Sequence, residues 1–305
     1  MFRKLIFVNA LGKSVTFNDY GKYIALTISG LGDVPVTNET EKAPAQDGMT
    51  WLDAVLGTRM VTVEGVINTK DGRDAIYQLR AALSSVCNPK LGNGTLTYYA
   101  GGYSVRTLRK VQPYLPSFPQ REGNEQLFLV RFEGVDPYWY QTTYNTEELG
   151  GWEGGLEFPL VGGVETGLEF PMADGIETGI EFERRSGSSE MYLENVGDFY
   201  APIEIWARGP MAQATVTNET TGEFIRVNRP IAANEELYIS TRKGEKQVLL
   251  TNLDTGDATN AFGYLDRASK FWQLQVGANL VSYDPTGSGI GTKVKVRYRN
   301  RFMGV

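Results

Sequence analysis

The chain has no histidine, and its 305 residues include one cysteine, Cys87. The missing histidine removes the commonest general base near neutral pH and the commonest transition-metal ligand. It excludes serine–histidine and cysteine–histidine nucleophile pairs and every histidine-containing zinc site. A single cysteine cannot form an internal disulfide, in keeping with folding in the cytoplasm that makes the chain. No basic neighbourhood surrounds Cys87 to activate its thiol. The chain also lacks a basic excess: Lys+Arg number 30 against 36 Asp+Glu, a net charge of −6. That balance argues against a sequence-specific nucleic-acid binder. No apolar run approaches the roughly 20 residues of a membrane helix, and the N-terminus turns polar too soon for a secretory signal.

Three motifs that carry chemistry elsewhere are incomplete in this chain. Gly12-Lys13-Ser14 looks like the end of a phosphate-binding loop, but the required upstream glycine position holds Phe7. Gly287 to Gly291 is glycine-rich without a following helix signal. Asp254-Thr255-Gly256-Asp257 lacks the twelve-residue calcium-loop pattern. The expectation is no catalytic residue, no metal and no cofactor.

What is present is strand and turn chemistry. Leu5, Phe7 and Asn9 alternate with Ile6 and Val8, and Val15 to Phe17 returns after a turn. Ile24, Leu26 and Ile28 continue the period of two. From Gly30 to Gly57 the pattern dissolves among Gly32, Pro35, Pro44, Asp47 and Gly48. This reads as a long extended loop, and loops of that length are commonly functional or interaction arms. Arg59 to Ile67 reads as a strand. Ile76, Leu79, Leu83 and Val86 predict one helix over Arg73 to Val86, ended by Asn88-Pro89. Leu96 to Val105 reads as a hairpin and Leu127 to Phe132 as a strand.

Residues 146–190 change character. Gly155-Leu156-Glu157-Phe158 returns as Gly167-Leu168-Glu169-Phe170 and as Gly179-Ile180-Glu181-Phe182, twelve residues apart each time. Such short periods suggest a connector, with a small β-coil or a disordered segment as the alternatives. Further on, short strands with regular turn signals predict a β-sandwich. Its last strand carries a basic stripe, Lys293, Lys295, Arg297, Arg299 and Arg301. The stripe reads as the solvated face of an edge strand, where such charges block edge-to-edge pairing, or as a contact surface for a partner.

In their order, several pieces resemble the distal tail (Dit) proteins of siphophages. They include Pro44-Ala45-Gln46-Asp47-Gly48, Asn88-Pro89, Asp136-Pro137-Tyr138-Trp139-Tyr140, Asn195-Val196-Gly197-Asp198, Phe271-Trp272-Gln273-Leu274 and the run from Lys293 to Tyr298. The resemblance implies a mainly β protein in three parts. Residues 1–145 would be a β-rich ring-forming domain with one α-helix, 146–190 the connector and 191–305 a galectin-like β-sandwich. It implies a non-enzymatic virion protein, made in the host bacterial cytoplasm and forming a homo-hexameric hub ring at the tail tip. Partners would be the tail tube protein, the tail-tip hub or tail-associated lysin, and a receptor-binding protein. The loop is then a candidate inter-subunit arm through Pro44, Gln46, Asp47, Gly48 and Trp51, with Trp152 a further apolar anchor. The rival reading is a carbohydrate-binding adhesin module for host cell-wall glycans, with Trp206, Trp272 and Tyr283 as candidate sugar contacts.

Overall fold

The structure is a computed structural model that describes residues 3–69, 72–101, 104–123, 125–149, 151–153, 184–186, 189–284 and 292–305. The twelve-residue repeats and the Gly287 to Gly291 segment lie outside the described residues, as does the Trp152 side chain. The chain divides into two units. The first is Met1–Thr143 with Gly197–Phe199 and Arg299–Val305; the second is Tyr144–Val196 with Tyr200–Tyr298.

The first unit is built from β1 (Arg3–Val8), β2 (Ser14–Asn18), β3 (Tyr23–Ser29), β4 (Val36–Glu41), β5 (Thr50–Leu56), β6 (Arg59–Asn68), α1 (Arg73–Val86), β7 (Gly94–Ala100), β8 (Ser104–Pro113), β9 (Arg121–Glu122), β10 (Glu125–Gly134) and β11 (Trp139–Gln141). Strands run β11-β8-β7-β1-β2-β3-β6-β10-β9, and β8 also pairs with β10. That second pairing closes seven strands into a barrel, which leaves those strands no free edge. β8 reaches both neighbours because it bends at Lys110, whose φ is 51°, beside a register shift opposite Gly94. The terminal residues Arg301–Phe302 add a short strand to β11.

Alternation sets the interior. Val61, Val63 and Ile67 on β6 and Phe128, Val130 and Phe132 on β10 are buried, with Leu5, Phe7 and Phe17. Phe7 and Phe132 approach to 4.8 Å between ring centroids, and Phe17 lies 5.7 Å from Phe128. α1 spans the residues that its apolar spacing predicts. It buries Ile76 and Leu83 and half-buries Leu79 and Val86. Gly65 interrupts the apolar alternation of β6 for a steric reason. A Cβ there would stand 2.1 Å from the Ile24 carbonyl oxygen and 2.6 Å from Phe128 Cζ. Gly65→Ala is therefore expected to cost about 1–3 kcal/mol through overpacking, read as a lower thermal midpoint.

Cys87 is fully buried at the end of α1, and burial pushes its thiol up to about 12. A raised thiol value favours the neutral form in the fold. The stabilising contribution is thus present below its ordinary value of 9.0 and is lost as pH rises towards about 12. The native protein should resist a thiol reagent at pH 8 and react only on unfolding; rapid native labelling would contradict the burial.

The second unit holds β12 (Asn145–Leu149), the pair β13 (Gly151–Glu153) and β14 (Arg184–Ser186), then β15 (Glu190–Asn195), β16 (Ala201–Arg208), β17 (Ala214–Asn218), β18 (Glu223–Val227), β19 (Glu235–Ser240), β20 (Gln247–Asn252), β21 (Ala258–Asn260), β22 (Gln273–Leu274), β23 (Gly277–Tyr283) and β24 (Lys293–Tyr298). One sheet runs β12-β24-β16-β19-β20-β21, with β22 on β16; the other runs β15-β23-β17-β18. Inward residues of both sheets share one core, among them Ile203, Ile205, Ile239, Val294 and Val296 from the first and Leu193, Val216, Ile225 and Val281 from the second. This is a β-sandwich. Residues 146–149, given to the connector by sequence, belong with Asn145 to a sandwich strand, because all five pair in register with β24.

Candidate assembly surfaces

The stretch from Gly30 to Gly57 is not an irregular loop. Among the described residues its strands β4 and β5 pair only with each other, as an antiparallel two-stranded arm. Alternation did not reveal it because no side of it is buried within the chain: every residue of β4 and all of β5 except Leu56 are exposed. The register explains the arrangement of its apolar side chains. Val36 faces Leu56, Asn38 faces Ala54, and then the register shifts so that Thr40 faces Trp51. Leu52 is the extra residue of a bulge, which moves Trp51 to the face of Val36, Ala54 and Leu56. Trp51 is 61% exposed, Leu52 54% and Met49 66%. Pro44, Gln46, Asp47 and Gly48 form the tip. Gln46 fastens that turn, accepting from the Ala43 amide at 3.0 Å and donating to Thr50 Oγ1 at 3.0 Å.

The root of the arm is held as firmly as its blade is open. The Gly57 amide donates to the Pro35 carbonyl at 2.8 Å. Arg59, the first residue of β6, is fully buried. Its Nε donates to Pro137 O at 2.7 Å, and Nη1 to Gly30 O, Leu31 O and Asp33 O at 3.2, 3.1 and 3.4 Å. Nη2 donates to Met303 O. Trp139 Nε1 shares the Leu31 carbonyl at 3.0 Å, and its ring centroid lies 5.8 Å from the guanidinium. Burial pulls the Arg59 guanidinium below its usual value, while the Asp33 charge pushes it back up. Gly30 is obligatory at this point: its φ is 83°, and a Cβ would fall 1.8 Å from Met60 O. The sequence offered no sign of this clamp, because its partners lie 26 to 244 positions away.

The basic stripe splits. β24 lies between β12 and β16, so it is not an edge strand. Lys293, Lys295 and Arg297 share its outer face. Lys295 stands in register with Glu148 and Trp206. Arg297 pairs with Glu204 at 2.7 Å and lies 4.1 Å from the Tyr144 ring centroid and 4.6 Å from that of Trp206. Arg299 and Arg301 follow the end of β24 and belong to the first unit. There Arg299 lies 5.3 Å from the Tyr140 ring, while Arg301 is buried 5.0 Å from Tyr138 and 5.5 Å from Tyr140. The stripe ended because the strand did, and alternation beyond Tyr298 no longer reported a common face.

Of the three candidate sugar contacts, Trp272 and Tyr283 are buried core residues, and Trp206 is half-buried on the outer sheet face. A groove of about 300 Å³ lies beside it, lined by Glu148, Trp206, Arg208, Glu236, Lys293 and Lys295. In register Lys295 faces Glu148 and Arg208 faces Glu236, while Lys293 faces Arg208 on its other side. Among the described residues no cluster of cysteine and carboxylate groups is arranged to hold a metal ion.

Two family models match the chain. Residues 11–133 match the phage tail protein RIFT-related domain, and residues 197–302 match the C-terminal domain of the siphovirus-type tail component. The chain belongs to the siphophage distal tail (Dit) family. Membership makes it a structural protein of the distal tail hub and so a virion component. Solved structures show the same fold at low identity. The crystal structure of phage SPP1 Dit (gp 19.1), described as a paradigm of hub adsorption apparatus in phages infecting Gram-positive hosts, aligns with a TM-score of 0.66 at 9% identity, over 98% of this chain and 99% of that one. A chain of the phage P2 baseplate, in its activated conformation with Ca, aligns at 0.55 and 13%, and one from the form with Sr at 0.53 and 14%; both alignments cover 100% of each chain. No curated protein matches. Among the described residues no helix is long and apolar enough to cross a membrane.

Proposed function

We propose that this Dit protein assembles as a homo-hexameric ring that joins the tail tube protein to the tail-tip hub or tail-associated lysin. In this reading residues 1–145 form the ring, with Pro44, Gln46, Asp47, Gly48 and Trp51 reaching the next subunit. The segment between β12 and β15, read from sequence as part of a connector over 146–190, then belongs to a galectin-like sandwich that ends at Tyr298. That sandwich offers Lys293, Lys295 and Arg297 to a further tail protein, such as a receptor-binding protein. One observation carries the proposal: an arm with an open apolar face, rooted on a fully buried clamp. Isolated two-stranded hairpins are marginal in water, so such an arm is stabilised by whatever it packs against. Ring contacts of this kind are heterologous, one surface of each copy meeting a different surface of the next.

Electron microscopy of the purified chain tests the reading. Six-fold rings support it; a monomer at every concentration, alone and with the tube protein, overturns it. The reading also excludes catalysis. Zymography on host cell walls should stay blank, and a cleared band that vanished on mutating one carboxylate would contradict it.

A further inference from the structure

The arm has a second face, and its chemistry asks for cations. Glu39 lies directly opposite Asp53, with Thr37–Val55 and Glu41–Thr50 on the same face. Like charges placed opposite one another destabilise a sheet. Among the described residues none of these carboxylates has an ion pair. Over its whole length the arm sets Glu39, Glu41, Asp47 and Asp53 against Lys42 alone.

The first unit holds a surface of opposite character. Arg80 and Arg121 converge on Tyr77 of α1, which is 54% exposed, at 5.6 and 5.3 Å from its ring centroid. Arg80 also lies 4.5 Å from the Phe118 ring. Arg121 Nη1 donates to the Tyr77 hydroxyl at 3.1 Å, while its Nη2 is buried without a partner. Neither guanidinium has an ion pair among the described residues, although Asp74 lies one turn before Tyr77 on α1. Two uncompensated cations over an open aromatic ring fit carboxylates set beside apolar side chains. The acidic face of the arm, with Val55 beside Asp53, has that composition.

Both surfaces are open within one chain, and they differ from each other. A heterologous contact needs two such surfaces. We infer that the acidic face of one copy's arm docks on the Arg80–Tyr77–Arg121 cluster of the next copy. This rests on the ring reading above and adds where the acidic face of the arm lands, the face opposite Trp51.

Charge exchange in the full chain tests it, with oligomer mass as the readout. Arg121→Glu and Asp53→Arg should each weaken association about tenfold, and the two together should restore most of the loss. A second arm uses Asp53→Cys with Arg121→Cys, Cys87 being buried and silent. Mild oxidation should give inter-chain disulfides in a ladder. If both reversals leave assembly intact while excising the arm abolishes it, the docking site is wrong and the ring reading stands. If excision also changes nothing, or the unaltered chain never associates, both fail. Should Arg121→Glu not fold, the cysteine pair decides, and the absence of inter-chain disulfide overturns the inference.

Discussion

Excising Val36–Leu56 and joining Pro35 to Gly57 through a short glycine link should leave a folded chain that no longer assembles. The join is short because the Gly57 amide already hydrogen-bonds the Pro35 carbonyl at 2.8 Å. The excised residues supply nothing to the barrel core. Unit stability should therefore change little, and the far-UV spectrum should lose only the signal of one hairpin. Assembly should suffer far more. Burying a side chain the size of Trp51 or Leu52 contributes about 1.5–3 kcal/mol each by area bookkeeping. Loss of two such anchors, about 3–6 kcal/mol together, weakens each interface roughly 100- to 10,000-fold. Sedimentation of the excised chain gives the answer. Rings at unchanged concentration would show that the arm is not the contact, and a collapsed thermal transition would show that it belongs to the folding unit after all.

Arg59→Met should produce the largest loss of stability of any single substitution in the first unit. It removes the only side chain donating to the carbonyls of Gly30, Asp33, Pro137 and Met303 among the described hydrogen bonds, and leaves Leu31 with the Trp139 donor. Buried acceptors left without donors cost about 3–5 kcal/mol together. For a unit of this size that lowers the thermal midpoint by roughly 10 °C. Arg59→Lys should rescue only part, since an ammonium cannot spread its donors over carbonyls on several sides. Association should weaken below the midpoint too, because the root of the arm is what Arg59 holds. Calorimetry checks the first expectation and oligomer mass the second; an unchanged midpoint would mean that water replaces the clamp at little cost.

The legible parts of this chain were those where local pattern and burial coincide. α1 was visible because Ile76 and Leu83 recur at helical spacing and both meet the core. β1, β6 and β24 were visible because one face of each is dry. The arm reads as a loop in sequence for the converse reason: without burial inside the chain there is no alternation to see, and pairing with a single neighbour leaves no trace in composition. Arg59 looked like the polar start of a strand, and Arg301 like the end of a stripe. Both are buried cations whose partners are backbone carbonyls or aromatic rings that the topology brings from distant segments.

By itself the sequence determined that no histidine is there to serve as base or ligand, how many helices to expect and which strands turn an apolar side inward. Those features follow from residue type and from periods of 2 and 3.6, which are local quantities. Only the tertiary structure decided that β8 closes a barrel by pairing at once with β7 and β10, and that Arg299–Val305 return to the first unit. It alone gave the arm its two faces, one apolar and one acidic. Those outcomes depend on register and on contacts between distant residues, where one bulge moves a tryptophan from one face of a hairpin to the other.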